Sequence, residues 1–299
     1  MRSSCHHSQA IFNGAKQLPK IYEEPTGDYA YDYALEHGIT HETIFLFDIG
    51  YSPNDWRQLL HHLLALGFTE DEAVEAGVAI RNEKGRVYDR FRNRLMIPIT
   101  DATGSPIGFV GRSLAPDDNP LDLYSPQTLI LDKKSILFGL HQACDHIIEI
   151  GRAILYPDYF DVLVAQRCSI LHTVSSCRTN LNYHQLRILN EYTTRFSLYA
   201  YQSSDVKATV DEAGGFKMDC LIVRLPDNAS FSDLQPLAGW LTYPVAWGRT
   251  VKRRRTSGRL FARPPGTNHP DLAGRPGQER DCPDIQSQFK YSQTLCEAL

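Results

Sequence analysis

The sequence lacks the features of a secreted or membrane protein. No window of its 299 residues approaches the roughly 18 consecutive apolar side chains that a spanning helix needs. The first residues, MRSSCHHSQAIFNG, contain no apolar core of the kind that a signal peptide requires. The seven cysteines are odd in number and form no CxxC pair, which argues against a disulfide framework or a zinc site. We therefore expect a cytoplasmic protein with reduced thiols and no membrane partner.

Common nucleotide-binding and hydrolase motifs are also missing. The chain has no GxGxxG, no P-loop and no GxSxG, which disfavours a small-molecule enzyme of those classes. Its formal net charge is −4, so any nucleic-acid surface must be a local cluster of basic residues. With 42% hydrophobic and 22% charged residues, the composition is that of an ordinary globular protein with one large or two smaller domains.

The pattern of apolar residues divides the chain into four segments. Residues 1–28 are weakly patterned and are interpreted as a poorly ordered lead-in. Residues 29–150 contain short helices and then a β-hairpin, in which RLMIPIT and PIGFVGRSL flank a DATG turn. Residues 151–247 alternate strands with helical stretches, which predicts a parallel sheet with crossover helices. Residues 248–299 are rich in Arg, Pro and Gly, include the KRRR run, and are predicted to be a disordered basic tail.

The predicted fold class is therefore α/β, with an α+β lead subdomain before the parallel sheet. In the lead, Ser52 is a plausible N-cap for the helix SPNDWRQLLHHLLALG, with Trp56 on its apolar face. Thr69 and Glu72 predict a capping box for the next helix.

Residues 86–112, RVYDRFRNRLMIPITDATGSPIGFVGR, resemble the core of bacterial DnaG-type DNA primases. The family pattern is a basic RFRxR segment, a strand ending in PI, an Asp-x-x-Gly turn and an IGFxGR strand. The flanking segments EHGITHETIFLFDIGYSPNDW and SPQTLILDKKSILFGL match as well, and the resemblance extends from about Tyr29 to Leu241.

The resemblance implies that the second half is a Toprim-like domain, the parallel α/β fold shared with topoisomerases. The family activity is that of a nucleotidyltransferase, which makes RNA primers on a DNA template during DNA replication. Its cofactor is Mg²⁺, and its partners are single-stranded DNA and the replicative helicase. The family's zinc-ribbon module and helicase-interaction domain are not recognisable here, so we expect a fragment or a standalone remnant with single-stranded DNA as its partner.

The acidic residues that hold Mg²⁺ in the family are replaced in this sequence. The family Glu of EGYMDV aligns with Pro157 in PDYFDV. The Asp pair of YDGDxAG aligns with Gln202 and Ser204, and the acidic pair of LPxGxDPDE aligns with Ser230 and Ser232. Neutral side chains offset neither the dehydration of Mg²⁺ nor the repulsion of phosphates. We therefore expect an eroded site with no metal cofactor and no assignable catalytic residue.

One alternative is a metal site shifted in register or dependent on Mn²⁺. Asp158, Asp205 and Asp233 each lie one residue beyond a lost position, and Asp161 matches the family. Within a strand, a shift of one residue sends the side chain to the opposite face, so three coordinated loop changes are required. The other interpretation is that these are solvated surface acids.

A basic cluster around the hairpin is retained. Its members are Arg90, Arg92, Arg94, Arg112 and Lys133. In the family these positions line a groove for the template strand and for nucleotide phosphates, which the guanidinium fork can bind with two hydrogen bonds. Phe91 and Tyr124 could offer stacking faces for unpaired bases. The opposing interpretation is a solvated charged edge with Phe91 in the core.

Three functional hypotheses follow from this pattern. The first is a degenerate primase homologue that binds single-stranded nucleic acid or a replication partner without polymerising. The second is an active primase with a relocated or Mn²⁺-dependent site. The third is a nonfunctional truncated relic.

Overall fold

The computed structural model describes residues 28–177, 181–200 and 203–224, without the side chains at 28, 200, 203–205 and 224. The helices are α1 (Asp28–Glu36), α2 (His41–Leu46), α3 (Gln58–Ala65), α4 (Glu70–Glu75), α5 (Leu140–Ile150), α6 (Tyr159–Arg167), α7 (Tyr183–Leu189) and α8 (Ser203–Gly215). The strands are β1 (Gly50–Ser52), β2 (Ala79–Arg81), β3 (Val87–Asp89), β4 (Arg94–Thr100), β5 (Pro106–Ser113), β6 (Asp122–Tyr124), β7 (Ala153–Tyr156), β8 (Thr173–Ser175), β9 (Arg195–Ala200) and β10 (Asp219–Arg224). The predicted lead-in and basic tail lie outside these residues. No helix in the described part of the chain is long and apolar enough to cross a membrane.

The predicted β-hairpin is confirmed as β4 and β5. The two strands pair antiparallel, with Leu95 opposite Arg112, in a sheet ordered β1-β4-β5-β6. The DATG turn is closed by Asp101, whose Oδ1 accepts hydrogen bonds from the backbone N–H groups of Thr103 and Ser105 at 2.9 and 3.0 Å. This is the local side-chain to backbone bonding that makes Asp a turn former.

Strand β4 is buried on both faces, which explains its nearly continuous apolar sequence. Leu95, Ile97 and Ile99 point into one hydrophobic cluster. Met96 points into a second cluster with Phe109 and with residues of α3 and α4. The short helices of the lead therefore cover one face of the antiparallel sheet.

The predicted parallel sheet is confirmed as four strands ordered β10-β9-β7-β8. From β7 the chain crosses to β8 on one side, and from β9 it crosses to β10 on the other side. The carboxyl ends of β7 and β9 therefore flank the point where the strand order reverses, which is where open α/β sheets bind ligands. Residue 157 directly follows β7, and residues 202–204 begin two positions after the end of β9 in the sequence.

One hydrophobic cluster packs the two sheets together. It joins Ile97 and Ile99 of β4 to Ile154 of β7 and to Tyr159 of α6. The other face of the parallel sheet is covered by α5, α7 and α8 through a separate cluster. The predicted domain boundary at residue 150 falls between α5 and β7. The first hydrophobic cluster contains residues from both sides of this boundary, which stays a prediction.

Two expectations for the lead helices are wrong. Ser52 is not an N-cap, because it ends strand β1 opposite Arg94, and its hydroxyl donates to the carbonyl of Phe91 at 2.6 Å. Helix α3 begins only at Gln58, and its N-cap, Arg57, provides no capping side chain. Trp56 consequently lies before the helix and is 60% exposed. The predicted capping box of Thr69 and Glu72 is confirmed.

Gly67 and Gly77 offer a matched pair for testing this packing. Both follow a lead helix with positive φ, at +90° and +76°. A Cβ at Gly67 would meet nothing within 4 Å, whereas one at Gly77 would lie 2.6 Å from Cδ of Pro126. We expect Gly67→Ala to lower the free energy of unfolding by about 1–2 kcal/mol from backbone strain. Gly77→Ala should cost about 1–3 kcal/mol more from overpacking, measured by urea unfolding. Equal losses would contradict the close approach of Pro126.

Candidate nucleic-acid interface

The carboxyl edge of the parallel sheet is where the primase resemblance locates Mg²⁺ ligands. Pro157 lies there, buried directly after β7, and its side chain carries no donor atom for a cation. Gln202, Ser230, Ser232 and Asp233 lie outside the described residues. Ser204 and Asp205 are in the first turn of α8, with only their backbone described.

Two acids with described side chains lie at this edge, Asp158 and Asp161. Asp158 is the N-cap of α6, and its Oδ1 accepts the backbone N–H of Phe160 at 2.8 Å. Burial raises the pKa of Asp158, against the lowering effect of that hydrogen bond. Asp161 is 4% exposed in the first turn of the same helix. Among the described residues, no group of three His, Cys, Asp or Glu side chains could hold a metal ion.

Arg112 takes part in a half-buried network that joins the two sheets. Its Nη1 donates to Oδ2 of Asp122 at 2.9 Å, and the hydroxyl of Tyr159 donates to Oδ1 of the same carboxylate at 2.6 Å. Burial lowers the pKa of Arg112, but its hydrogen bond to the hydroxyl of Tyr33 and the charge of Asp122 outweigh that effect and raise it overall. Its guanidinium also lies 5.5 Å from the ring of Phe160. Arg112 therefore links β5 and β6 to α6.

Arg94 is saturated by acceptors of its own chain. Its side chain is 8% exposed. Nη1 donates to the carbonyls of Gly111 and Leu121, both at 2.9 Å. Nη2 donates to the carbonyl of Pro120 at 3.1 Å and to Oδ2 of Asp118 at 3.2 Å. This arrangement ties the loop before β6 to the hairpin.

Arg92 has a different environment, formed by the exposed ring of Trp56 and the half-buried ring of Tyr88. Its guanidinium lies 4.1 Å from the ring centroid of Trp56 and 5.4 Å from that of Tyr88. The two rings meet edge to face, with centroids 5.3 Å apart. Arg90 lies two residues before Arg92 along the chain, and its Nη2 donates to the carbonyl of Tyr124 at 3.1 Å. We call Trp56, Tyr88, Arg90 and Arg92 the aromatic–arginine surface.

The remaining predicted positions are less favourable for stacking or phosphate contact. Phe91 is 3% exposed and packs against Phe109, so its expected role as a stacking face is wrong and the core interpretation holds. Tyr124 is partly buried against Tyr159. Lys133 is half-buried in the loop between β6 and α5, where its backbone N–H donates to Oε1 of Gln127 at 3.0 Å.

The sequence interpretation missed three kinds of residue in this region. Trp56 was assigned to the apolar face of a helix, and Tyr88 was not singled out. Asp118 and Asp122, which hold Arg94 and Arg112, carry no local sequence signal because they come from a later loop and strand. Asp89 could have been noticed, because an acid within the basic run VYDRFR needs a partner or a helix terminus.

A parallel sheet of this topology, packed on an antiparallel sheet with a basic hairpin, is the architecture of a primase-type catalytic core. Residues 19–144 match the family described as the DNA primase catalytic core, N-terminal domain. The DNA primase of Clostridium acetobutylicum is 36% identical over 204 residues, covering 66% of this chain and 33% of that protein. The DNA primase of Synechococcus elongatus is 38% identical over 180 residues, covering 58% and 26%.

Solved structures agree with these relatives. A DnaG primase catalytic domain bound to single-stranded DNA superposes with a TM-score of 0.73 at 26% identity, covering 78% of this chain and 77% of that one. The E. coli primase catalytic core gives 0.69 at 28% identity, covering 77% and 75%. This chain is homologous to the catalytic core of DnaG-type DNA primases. The match spans between a quarter and a third of the length of these two primases.

Arg94 and Arg92 should differ sharply in their effect on stability. Arg94→Ala removes the guanidinium that donates to three backbone carbonyls and to Asp118, and should lower the free energy of unfolding by about 2–5 kcal/mol. Arg92→Ala removes a cation–π contact with the exposed Trp56 and the hydrogen bond to the carbonyl of Asp89, and should cost less, about 1–2 kcal/mol. Urea unfolding of the two variants beside the wild type checks this. Equal stability of the Arg94 variant and the wild type would show that the network is not structural.

Proposed function

We propose that this protein is a primase homologue that binds single-stranded nucleic acid at the aromatic–arginine surface and does not make RNA primers with Mg²⁺. The observation that supports binding is the exposed indole of Trp56 with the Arg92 guanidinium 4.1 Å from its centroid. Unpaired bases stack on such rings whatever their sequence, while a cation beside the ring attracts the phosphates. The related catalytic domain described as bound to single-stranded DNA supports the same choice of partner.

The second part of the proposal rests on the replaced carboxylates. When bound in the family, Mg²⁺ neutralises nucleotide phosphates during nucleotidyl transfer. In this chain Pro157 has no ligand atom, and Gln202 and Ser204 are neutral. Asp158 would have to give up the N-cap of α6 to bind a cation. An active site shifted in register or dependent on Mn²⁺ is the alternative, and it would depend on Asp158, Asp205 and Asp233.

The proposed partner also suggests where the protein acts. Single strands exposed during bacterial replication lie in the cytoplasm, so we infer a cytoplasmic protein without a membrane role. The replicative helicase is a partner of the family, and it is not part of this proposal.

Binding to a fluorescein-labelled oligo(dT) should depend on the aromatic–arginine surface. Trp56→Ala should weaken binding by about 1–3 kcal/mol through lost stacking, as measured by fluorescence anisotropy. Arg92→Ala should weaken binding and also reduce the slope of log affinity against log salt by about 0.7 if it contacts one phosphate.

Arg187→Ala is the matched control, because Arg187 is an exposed arginine on α7. It should bind the oligonucleotide like the wild type. Equal affinity of all four proteins would contradict the proposed surface, and a folded wild type that binds nothing would favour a nonfunctional relic.

Primer synthesis separates the inactive homologue from a relocated active site. Labelled ribonucleotide incorporation on a single-stranded DNA template should be absent with Mg²⁺ and with Mn²⁺, because neutral residues occupy the family's ligand positions. An Asp205→Ala variant accompanies the wild type. Incorporation that disappears in this variant would overturn the loss of catalysis and establish a shifted metal site.

A further inference from the structure

We propose that Asp89 is a positioning residue, which holds Trp56 and Arg92 of the aromatic–arginine surface against the start of helix α3. The inference rests on the proposed function, since it concerns how that surface is shaped for a single strand. Asp89 ends strand β3, is 3% exposed, and therefore does not itself contact nucleic acid.

The carboxylate of Asp89 closes the beginning of α3. Its Oδ2 accepts the backbone N–H of Leu59 at 2.8 Å, and its Oδ1 accepts that of Leu60 at 2.9 Å. The first N–H groups of a helix have no partners within the helix. The side chain of the N-cap residue, Arg57, does not cap the helix, so Asp89 supplies the cap to Leu59 from 30 residues away.

The backbone of Asp89 holds Trp56, which is exposed, and Arg92, which is half-buried. Its N–H donates to the carbonyl of Trp56 at 2.8 Å. Its own carbonyl accepts a hydrogen bond from Nη1 of Arg92. One buried residue thus joins the indole-bearing turn, the arginine and the helix start, which fixes the separation of the ring and the guanidinium.

The double cap depends on the charge state of Asp89. An ionised carboxylate accepts at both oxygens, whereas a protonated one has an O–H on one of them and loses one acceptor. Burial raises the pKa of Asp89 to about 6, against the two backbone N–H groups and Arg92, which lower it. The charge of Asp55 raises it further. Acidification below about pH 6 should therefore loosen the start of α3 and the surface tied to it.

Other groups could also titrate or act on this position. The charged and titratable residues on the elements around Asp89 are Asp55, Arg57, His61, His62, Glu70, Tyr88, Arg90 and Arg92. These residues remain unchanged in an Asp89 variant, so comparison of the variant with the wild type separates their contribution.

The contribution of Asp89 to folding stability changes with pH in the opposite direction to the expected change in affinity for a single strand. The pKa of Asp89 is raised from 3.8 in the unfolded chain to about 6 in the folded one, so the folded state holds this proton more tightly. The contribution of Asp89 to stability is thus most favourable at low pH and is lost as the pH rises through about 6. If Asp89 acted only through stability, the affinity for a single strand would be highest at low pH, as the stability contribution is. If Asp89 positions Trp56 and Arg92, that affinity should fall on acidification.

The test measures oligo(dT) affinity by anisotropy from about pH 5 to about pH 8 for the wild type, Asp89→Asn and Asp55→Asn. Wild-type affinity should fall about tenfold on acidification, the equivalent of roughly one hydrogen bond, with a midpoint near the Asp89 pKa. Asp89→Asn has one acceptor oxygen at every pH and should bind weakly with a flat profile. Asp55→Asn removes an equal charge at an exposed position, should bind like the wild type at about pH 8, and should move the midpoint to lower pH.

The outcomes separate this inference from the proposed function. A wild type that binds at no pH would contradict the proposed function itself. If the wild type binds through Trp56 and Arg92 but Asp89→Asn shows the same affinity and pH profile, the positioning role is wrong. If Asp89→Asn does not fold, the wild-type profile and the midpoint shift in Asp55→Asn decide the question, and an unmoved midpoint overturns the inference.

Discussion

The hydrogen bond from the Tyr159 hydroxyl to Asp122 connects the two halves of the structure. Tyr159 begins the helix after the first parallel strand, and Asp122 begins the last antiparallel strand. The same carboxylate pairs with Arg112 of the hairpin, so one half-buried acid makes both contacts. Removing either donor would leave a charge poorly satisfied in a half-buried setting, which is far more costly than the net gain of an ordinary hydrogen bond. The position of the carboxyl edge relative to the hairpin therefore depends on this contact.

This network also bears on the chemistry that the carboxyl edge can support. Asp158 lies beside it, and its pKa is raised by burial and by the charge of Asp122, while Arg112 lowers it. Asp122 and Asp158 are thus balanced by an arginine, a tyrosine and a helix terminus of the same chain. A cation would have to displace these partners, whereas a dedicated Mg²⁺ site keeps its carboxylates available for the ion.

Features that depend on nearby residues could be predicted from the sequence. The hairpin follows from two apolar strands around an Asp turn, and the capping box follows from the spacing of Thr69 and Glu72. The parallel sheet follows from regular alternation of strands and helices. Ser52 was misassigned because its partner, Phe91, lies 39 residues later and converts a good capping residue into the end of a strand. The exposure of Trp56 is a consequence of that pairing, and the spacing of apolar residues near Trp56 does not predict it.

The sequence predicts the candidate site as a set of basic residues. In the structure these residues differ in how much each contributes to the stability of the fold. Arg94 and Arg112 are needed by the fold itself, since their guanidinium groups satisfy carbonyls and a carboxylate in the interior. Their presence would be expected in any chain that keeps this hairpin, whether or not it binds nucleic acid. Arg92 against the exposed Trp56 is different, because an exposed cation–π contact contributes only about 0.5–1 kcal/mol to folding. A large exposed indole contributes little to folding stability in that position. The pair of Trp56 and Arg92, rather than the whole basic cluster, is therefore the informative evidence for a binding surface.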